Sequence, residues 1–338
     1  MTERRFKDPV RTTSLLTLLA GGLLLTQAPA WSQNSAPPPP STAEQQHMRD
    51  AQARFNATPD TKGTGEFAAL KEEIPSLPDH VVYRPADLSK LSGTKLGVLV
   101  WGNGACSDDG ASSRMHLLEI ASHGYLVIAN GTIKSGPGIP PAPPRAPRTD
   151  GQLPPPVTSA KQLTDAIDWA LAENARQDSQ FHGLIDPDAI AVAGFSCGGL
   201  QALQVVGDKR LRTVIIQNSG IFNAESATRL PSMDIGKDKL KSLHTPILYI
   251  LGGPRDIAYE NGMDDFHRID HVPAVVVNTD VGHGGTYNEP NGGRAAQVAV
   301  AWLDWQLRGD QKAKLWFVGP QCRLCTDKLW TIESKNLH

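Results

Sequence analysis

Charge is scarce in this chain and almost balanced. It has 33 lysines and arginines against 35 aspartates and glutamates, a formal net charge of −2, and no basic run. Without a basic patch or stripe there is no electrostatic footing for nucleic acid. Long apolar runs are missing beyond the N-terminus, which excludes an internal bilayer-spanning helix. No internal repeat points to a stacked array. Cysteine is limited to Cys106, Cys197, Cys322 and Cys325. No second ligand pair accompanies Cys322 and Cys325 as a zinc site would need, and no metal or cofactor is expected.

The first thirty residues read as an export signal. Arg4, Arg5, Lys7 and Arg11 are followed by the apolar stretch "LLTLLAGGLLL" and then by Ala28-Pro29-Ala30, small residues spaced for a signal peptidase. Its removal takes away four basic and two acidic side chains, moving the formal charge from −2 to −4. A secreted or periplasmic location is therefore expected, with no membrane attachment of the mature protein. Residues 31–62, which contain "NSAPPPPSTAEQQ", are expected to be a proline-rich flexible linker. A single folded domain is expected over residues 63–338, ending in a C-terminal tail.

Within that domain short apolar, β-branched runs recur at "HVVYRP", "KLGVLVWGNG", "YLVIAN", "DAIAVAGFS", "RTVIIQNSG", "TPILYILGG" and "AVVVNTD". Helical patterns such as "SRMHLLEIASHG", "SAKQLTDAIDWALAENAR" and "GGLQALQVVGD" separate most of them. Continuous apolar strands alternating with amphipathic helices predict an α/β class, with a mostly parallel central sheet covered by helices on both faces. Ligands of such sheets sit beyond the carboxyl ends of the strands.

At one such end stands Gly194-Phe195-Ser196-Cys197-Gly198, between a strand and a helix. This G-x-S-x-G pattern in that setting is a nucleophile elbow, in which a strained turn thrusts the serine hydroxyl out of the sheet. A Cβ at either glycine would collide with the neighbouring strand or helix. The amide of Cys197, at the helix N-terminus, points where negative charge would develop. A Cys197 nucleophile would need a small residue at 195, where Phe195 stands, so Ser196 is the better candidate.

A serine needs a base, and the base an orienting acid. Among ten histidines His283, in "DVGHGGTY" beyond "AVVVN", stands in the right kind of loop. His267 and His271 precede that strand, His244 precedes another, and His116 and His123 sit in a helical pattern. Asp256, after "TPILYILGG", is the candidate acid, ahead of Glu260 and Asp280. A second amide for the developing charge is expected from Asn103 or Gly104, in the glycine-rich loop after "KLGVLV".

With these residues the chain resembles the α/β-hydrolase superfamily from about Gly63 to Asp310. The resemblance rests on Gly194 to Gly198, Asp256, His283, and "WGNG" where many members have His-Gly. "GTGEF…HVVYRP" and "AWLDWQLRGD" look loosely like the secreted lipase and polyester-hydrolase branch. The resemblance implies an acyl-enzyme mechanism on a carboxylic ester or related acyl bond, and it does not identify the ester. Trp101 departs from the common histidine; it either packs or forms a wall of the acyl pocket.

The superfamily arrangement puts the loop carrying Cys106 beside the elbow, which implies a Cys106–Cys197 disulfide and leaves Cys322 for Cys325. Free thiols remain the alternative, and four cysteines allow three pairings. Only about 25 residues separate "TVIIQNSG" from "TPILYILGG", too few for a large cap domain, so an open cleft is expected. The proline-rich loop Gly131 to Pro156 could form one rim. Phe195, Tyr259 and Tyr287 are candidates for aromatic substrate contacts. Asp108 and Asp109 would disfavour anionic acyl groups if they faced the cleft. The expected partner is a small or polymeric ester. A serine peptidase or amidase on the same scaffold, or a binding protein with a relic triad, are the alternatives.

Overall fold

Strands form where aliphatic, β-branched residues run continuously, because each such segment is covered on both sides. In the computed structural model the described residues are 41–141, 155–223 and 233–337, all within one compact unit. The expected signal segment, residues 31–40 of the expected linker, residues 142–154 of the proline-rich loop and residues 224–232 lie outside the described residues.

The order is α1 (Thr42–Ala57), β1 (Ala69–Ile74), β2 (Leu77–Pro85), β3 (Leu96–Gly102), α2 (Arg114–Ser122), β4 (Tyr125–Asn130), α3 (Ala160–Ala175) and β5 (Ile185–Phe195). It continues with α4 (Cys197–Gln204), β6 (Leu211–Gln217), β7 (Ile247–Leu251), α5 (Tyr259–Arg268), β8 (Ala274–Asn278), α6 (Gly293–Arg308), α7 (Gln311–Lys314), α8 (Arg323–Thr326) and β9 (Thr331–Lys335). The strands make one nine-stranded sheet ordered β1-β2-β4-β3-β5-β6-β7-β8-β9. The six strands from β4 to β8 are parallel, whereas β1, β2 and β9 run antiparallel to their neighbours.

Two cores follow from the period of two along each strand. Val98, Val100, Val192 and Ile216 face α3, α4 and α5. Leu99, Val127, Ala191 and Ile215 face α2 and α6, where Trp302 is wholly buried. Each fully buried aliphatic side chain contributes about 1.5–3 kcal/mol relative to exposure. The seven strands expected from the sequence are all present, as β2 to β8. The two outermost, β1 and β9, were not expected, and β9 gives the C-terminal tail a place in the sheet.

One expectation is corrected. Residues 42–57, expected to belong to the flexible linker, form α1, and a charge on α2 anchors it. Arg114 is fully buried. Its Nε donates to Asp60 Oδ1 at 2.8 Å, and one terminal nitrogen donates to the carbonyls of Phe55 and Thr58 at 2.7 and 2.8 Å. The guanidinium also lies over the Phe55 ring, 3.9 Å from its centroid, and Asn56 Nδ2 donates to the Ile139 carbonyl. Composition suggested a linker because these contacts come from distant residues.

Asp60→Ala would leave Arg114 buried without its carboxylate. We expect a loss of about 3 kcal/mol in urea unfolding, together with earlier proteolysis within residues 42–60.

Candidate active site

In the sheet order β4-β3-β5 the chain reverses direction, so β3 and β5 flank a switch point where their following loops diverge. The loop after β3 carries residues 103–106, and the turn after β5 carries Ser196. Ser196 has φ 53° and ψ −121°, a conformation that costs a non-glycine residue about 1–3 kcal/mol. Backbone bonds hold it there: its N–H donates to the Gln217 carbonyl at 2.9 Å, and its carbonyl accepts from Ser219 Oγ at 2.6 Å. Gly194 and Gly198 are required by close approach. A Cβ on Gly194 would lie 2.2 Å from the Gly198 carbonyl oxygen, and one on Gly198 would lie 2.0 Å from that of Gly102.

His283 Nε2 is 2.9 Å from Ser196 Oγ, and its Nδ1 is 2.6 Å from Asp256 Oδ1. An ionised carboxylate only accepts, so Nδ1 carries the proton and Nε2 presents its lone pair to the serine hydroxyl. Asp256 is buried and also accepts from Asn218 Nδ2 at 2.8 Å and from the amides of Gly252 and Ala258 at 3.1 and 2.9 Å. Burial pushes its carboxyl up, but the bonds from His283, Ala258 and Gly252 together outweigh that and hold it below the usual range. Asp256 is thus kept ionised, and His283 is held in the tautomer that can take a proton from Ser196.

Cys197 opens α4 directly after Ser196 and is disulfide-bonded to Cys106, 91 residues away. Cys322 and Cys325 form a second disulfide. The Cys106 carbonyl accepts the amides of Val157 and Thr158, and Gln201 of α4 donates to the Thr158 carbonyl at 2.7 Å. The β3 loop is therefore tied to α4 covalently and through hydrogen bonds.

A cavity of about 550 Å³ opens over Ser196. Phe195, Leu200, Phe222, Ile257 and Tyr287 supply its apolar walls, and among the described residues no Asp, Glu, Lys or Arg lines it. Ile257, 77% exposed, stands at the rim. The Phe195 ring lies 5.4 Å from the His283 ring and 4.7 Å from that of Tyr287, centroid to centroid. Of the expected contact residues, Phe195 and Tyr287 thus line the cavity. Tyr259 does not; it packs against the core formed with α5. Trp101 is wholly buried and packs 5.3 Å from His116, so it is no wall of the cavity, because its strand position points into the α2–α6 core.

Asn103 is likewise fully buried, with its side-chain nitrogen bonded to the Ser107 and Asn130 carbonyls. Gly104, the other residue expected to offer an amide, lines the cavity together with Ala105. Ala105 has φ 54° and was not expected: an alanine carries no sequence signal for a left-handed turn. Asn218, which holds Asp256, was also missed. Asp108 pairs with Lys134, and Asp109 accepts the amides of Ala111 and Lys134, so both are engaged outside the cavity.

Among the described residues no helix is long and apolar enough to cross a membrane, and no group of three or more His, Cys, Asp or Glu residues is gathered to hold a metal ion. No protein-family model matches the chain, and no curated protein matches it.

Burial pushes the His116 pKa from 6.5 down to about 3, with Glu119 pulling it weakly upward. Between those values the unfolded state binds the extra proton, so stability falls as pH falls from 6.5 towards 3. The loss should approach about 4–5 kcal/mol; His116→Gln should flatten this dependence in denaturant unfolding compared at about pH 4 and about pH 7. Replacing Cys106 and Cys197 together by serine should lower stability by about 4–5 kcal/mol, read in the same assay.

Proposed function

We propose that the protein is an exported serine carboxylic-ester hydrolase of the α/β-hydrolase type. The observation that carries this reading is the strained Ser196, hydrogen-bonded to His283 Nε2 at 2.9 Å while His283 Nδ1 is bonded to a buried, fully engaged Asp256. A buried hydrogen-bonded carboxylate and backbone strain are both costly to maintain, and the two converge on one hydroxyl.

In this mechanism Ser196 Oγ attacks the ester carbonyl carbon and its proton passes to His283 Nε2. The tetrahedral oxyanion is held by the Cys197 amide and by an amide of the Gly104–Ala105 turn. Collapse breaks the bond to the alkoxide, which takes the proton from His283, leaving an acyl group on Ser196. Water, deprotonated by the same nitrogen, attacks that acyl group and frees the acid. Asp256 stabilises the imidazolium through Nδ1. The disulfide ties the two oxyanion donors to each other, which favours preorganisation. An uncharged, largely apolar cavity with an exposed Ile257 at its rim supports neutral, apolar acyl groups as substrates. Two disulfides fit an oxidising compartment and agree with export through residues 1–30.

The mature protein should hydrolyse p-nitrophenyl esters, with Ser196→Ala reducing kcat by at least about a thousandfold. Neutral acyl groups should be preferred over anionic ones, and a serine-directed phosphonate should label wild type but not Ser196→Ala. Labelling with turnover of amide probes alone would move the assignment to an amidase; no labelling and no turnover would remove the enzyme reading.

A further inference from the structure

Behind Asp256 lies a second tier of polar side chains that the mechanism above does not use. Asn218 follows β6 with φ 44°, a left-handed conformation that asparagine tolerates better than most residues. Its own N–H is bonded to the Ile250 carbonyl at 2.8 Å. Its Nδ2 donates both to Asp256 Oδ2 at 2.8 Å and to the carbonyl of Gly282, the residue before His283, at 3.1 Å. On the other side of the amide, Asn218 Oδ1 is bonded to the hydroxyl of Tyr287. Asn218 and Tyr287 are both buried.

The chemistry of the partners determines the orientation of this amide. Asp256 and the Gly282 carbonyl can only accept, so both N–H groups of Asn218 must face them. Oδ1 is then left towards Tyr287, whose hydroxyl must donate. Burial, reinforced by the Asp256 charge, pushes the phenol pKa well above its usual value, so the hydroxyl remains a donor. Without it the amide still faces Asp256 and Gly282 with its nitrogen, but Oδ1 loses the donor that anchors it, so the amide is free to shift away from the two acceptors it bridges.

We propose that Asn218 and Tyr287 are positioning residues for the Ser196–His283–Asp256 site: Tyr287 anchors the Asn218 amide through Oδ1, and Asn218 holds both the acid and the backbone that carries the base. This rests on the hydrolase reading for its catalytic consequence, though not for its geometry. Because a single amide bridges Asp256 and Gly282, the distance between acid and base depends on it. The Tyr287 ring serves separately as a wall of the cavity; only the hydroxyl belongs to the positioning role.

The test compares Tyr287→Phe, Asn218→Gly and the double variant. Phenylalanine keeps the ring, and glycine suits the left-handed backbone at 218. Steady-state hydrolysis of a p-nitrophenyl ester is measured beside the downfield proton resonance of His283 Nδ1–H. Tyr287→Phe should lower kcat about tenfold and leave KM within about twofold, and this loss should vanish in the Asn218→Gly background. The Nδ1 proton resonance should shift or broaden in both single variants. An equal loss from Tyr287→Phe with and without Asn218, or a rise in KM alone, overturns the proposal and leaves Tyr287 as a cavity wall. If wild type turns over no ester, the resonance decides by itself. Its displacement in Tyr287→Phe supports the positioning role while the hydrolase reading fails, and an unchanged resonance overturns the positioning role as well.

Discussion

The approach of two backbones organises this molecule. The first turn of α4 lies so close to the end of β3 that a Cβ on Gly198 would sit 2.0 Å from the Gly102 carbonyl oxygen. Only glycine permits that contact, and several features follow from it. Ser196 is forced into a left-handed corner, the Gly104–Ala105 turn comes to face its hydroxyl, and Cys106 meets Cys197 across the gap. A larger side chain at 198 would separate the two loops and disrupt the corner and the disulfide together.

The other half of the site is built by burial of polar groups. Asp256 accepts four hydrogen bonds, from His283, Asn218, Gly252 and Ala258, which fills the acceptor capacity of a carboxylate. In a low-dielectric interior an incompletely bonded carboxylate would protonate. Full engagement keeps it charged and locates the imidazole. The cavity above is uncharged and mostly apolar, so the proposed chemistry would proceed at a polar point in an apolar cleft, where electrostatic interactions are strong.

The parallel strands were readable because continuous Val, Ile and Leu runs have few other uses in a chain of this composition. The corner at Ser196 was readable because its glycines are spaced by a local steric need. Edge strands β1 and β9 were not, since charged residues such as Lys71, Glu72 and Glu333 interrupt them and only a neighbouring strand makes them extended. Helix α1 was missed for a related reason: Arg114, more than fifty residues away, supplies the contacts that dock its C-terminal end. Trp101 and Tyr259 were candidates from proximity in sequence, and strand alternation and packing turned both of them into the core.

By itself the sequence determined what local chemistry dictates: the α/β alternation, the glycine-flanked serine, and the loops in which an acid and a base could follow. The tertiary structure decided which of those residues meet. It brought Asp256 within 2.6 Å of His283 and His283 within 2.9 Å of Ser196, placed Gly104 and Ala105 of the β3 loop at the cavity, and set Asn218 and Tyr287 behind the acid. Spacing along a chain constrains backbone conformation over a few residues. Distances between side chains 27 and 87 positions apart are set only when the sheet has packed and the buried polar groups of the site have found their partners.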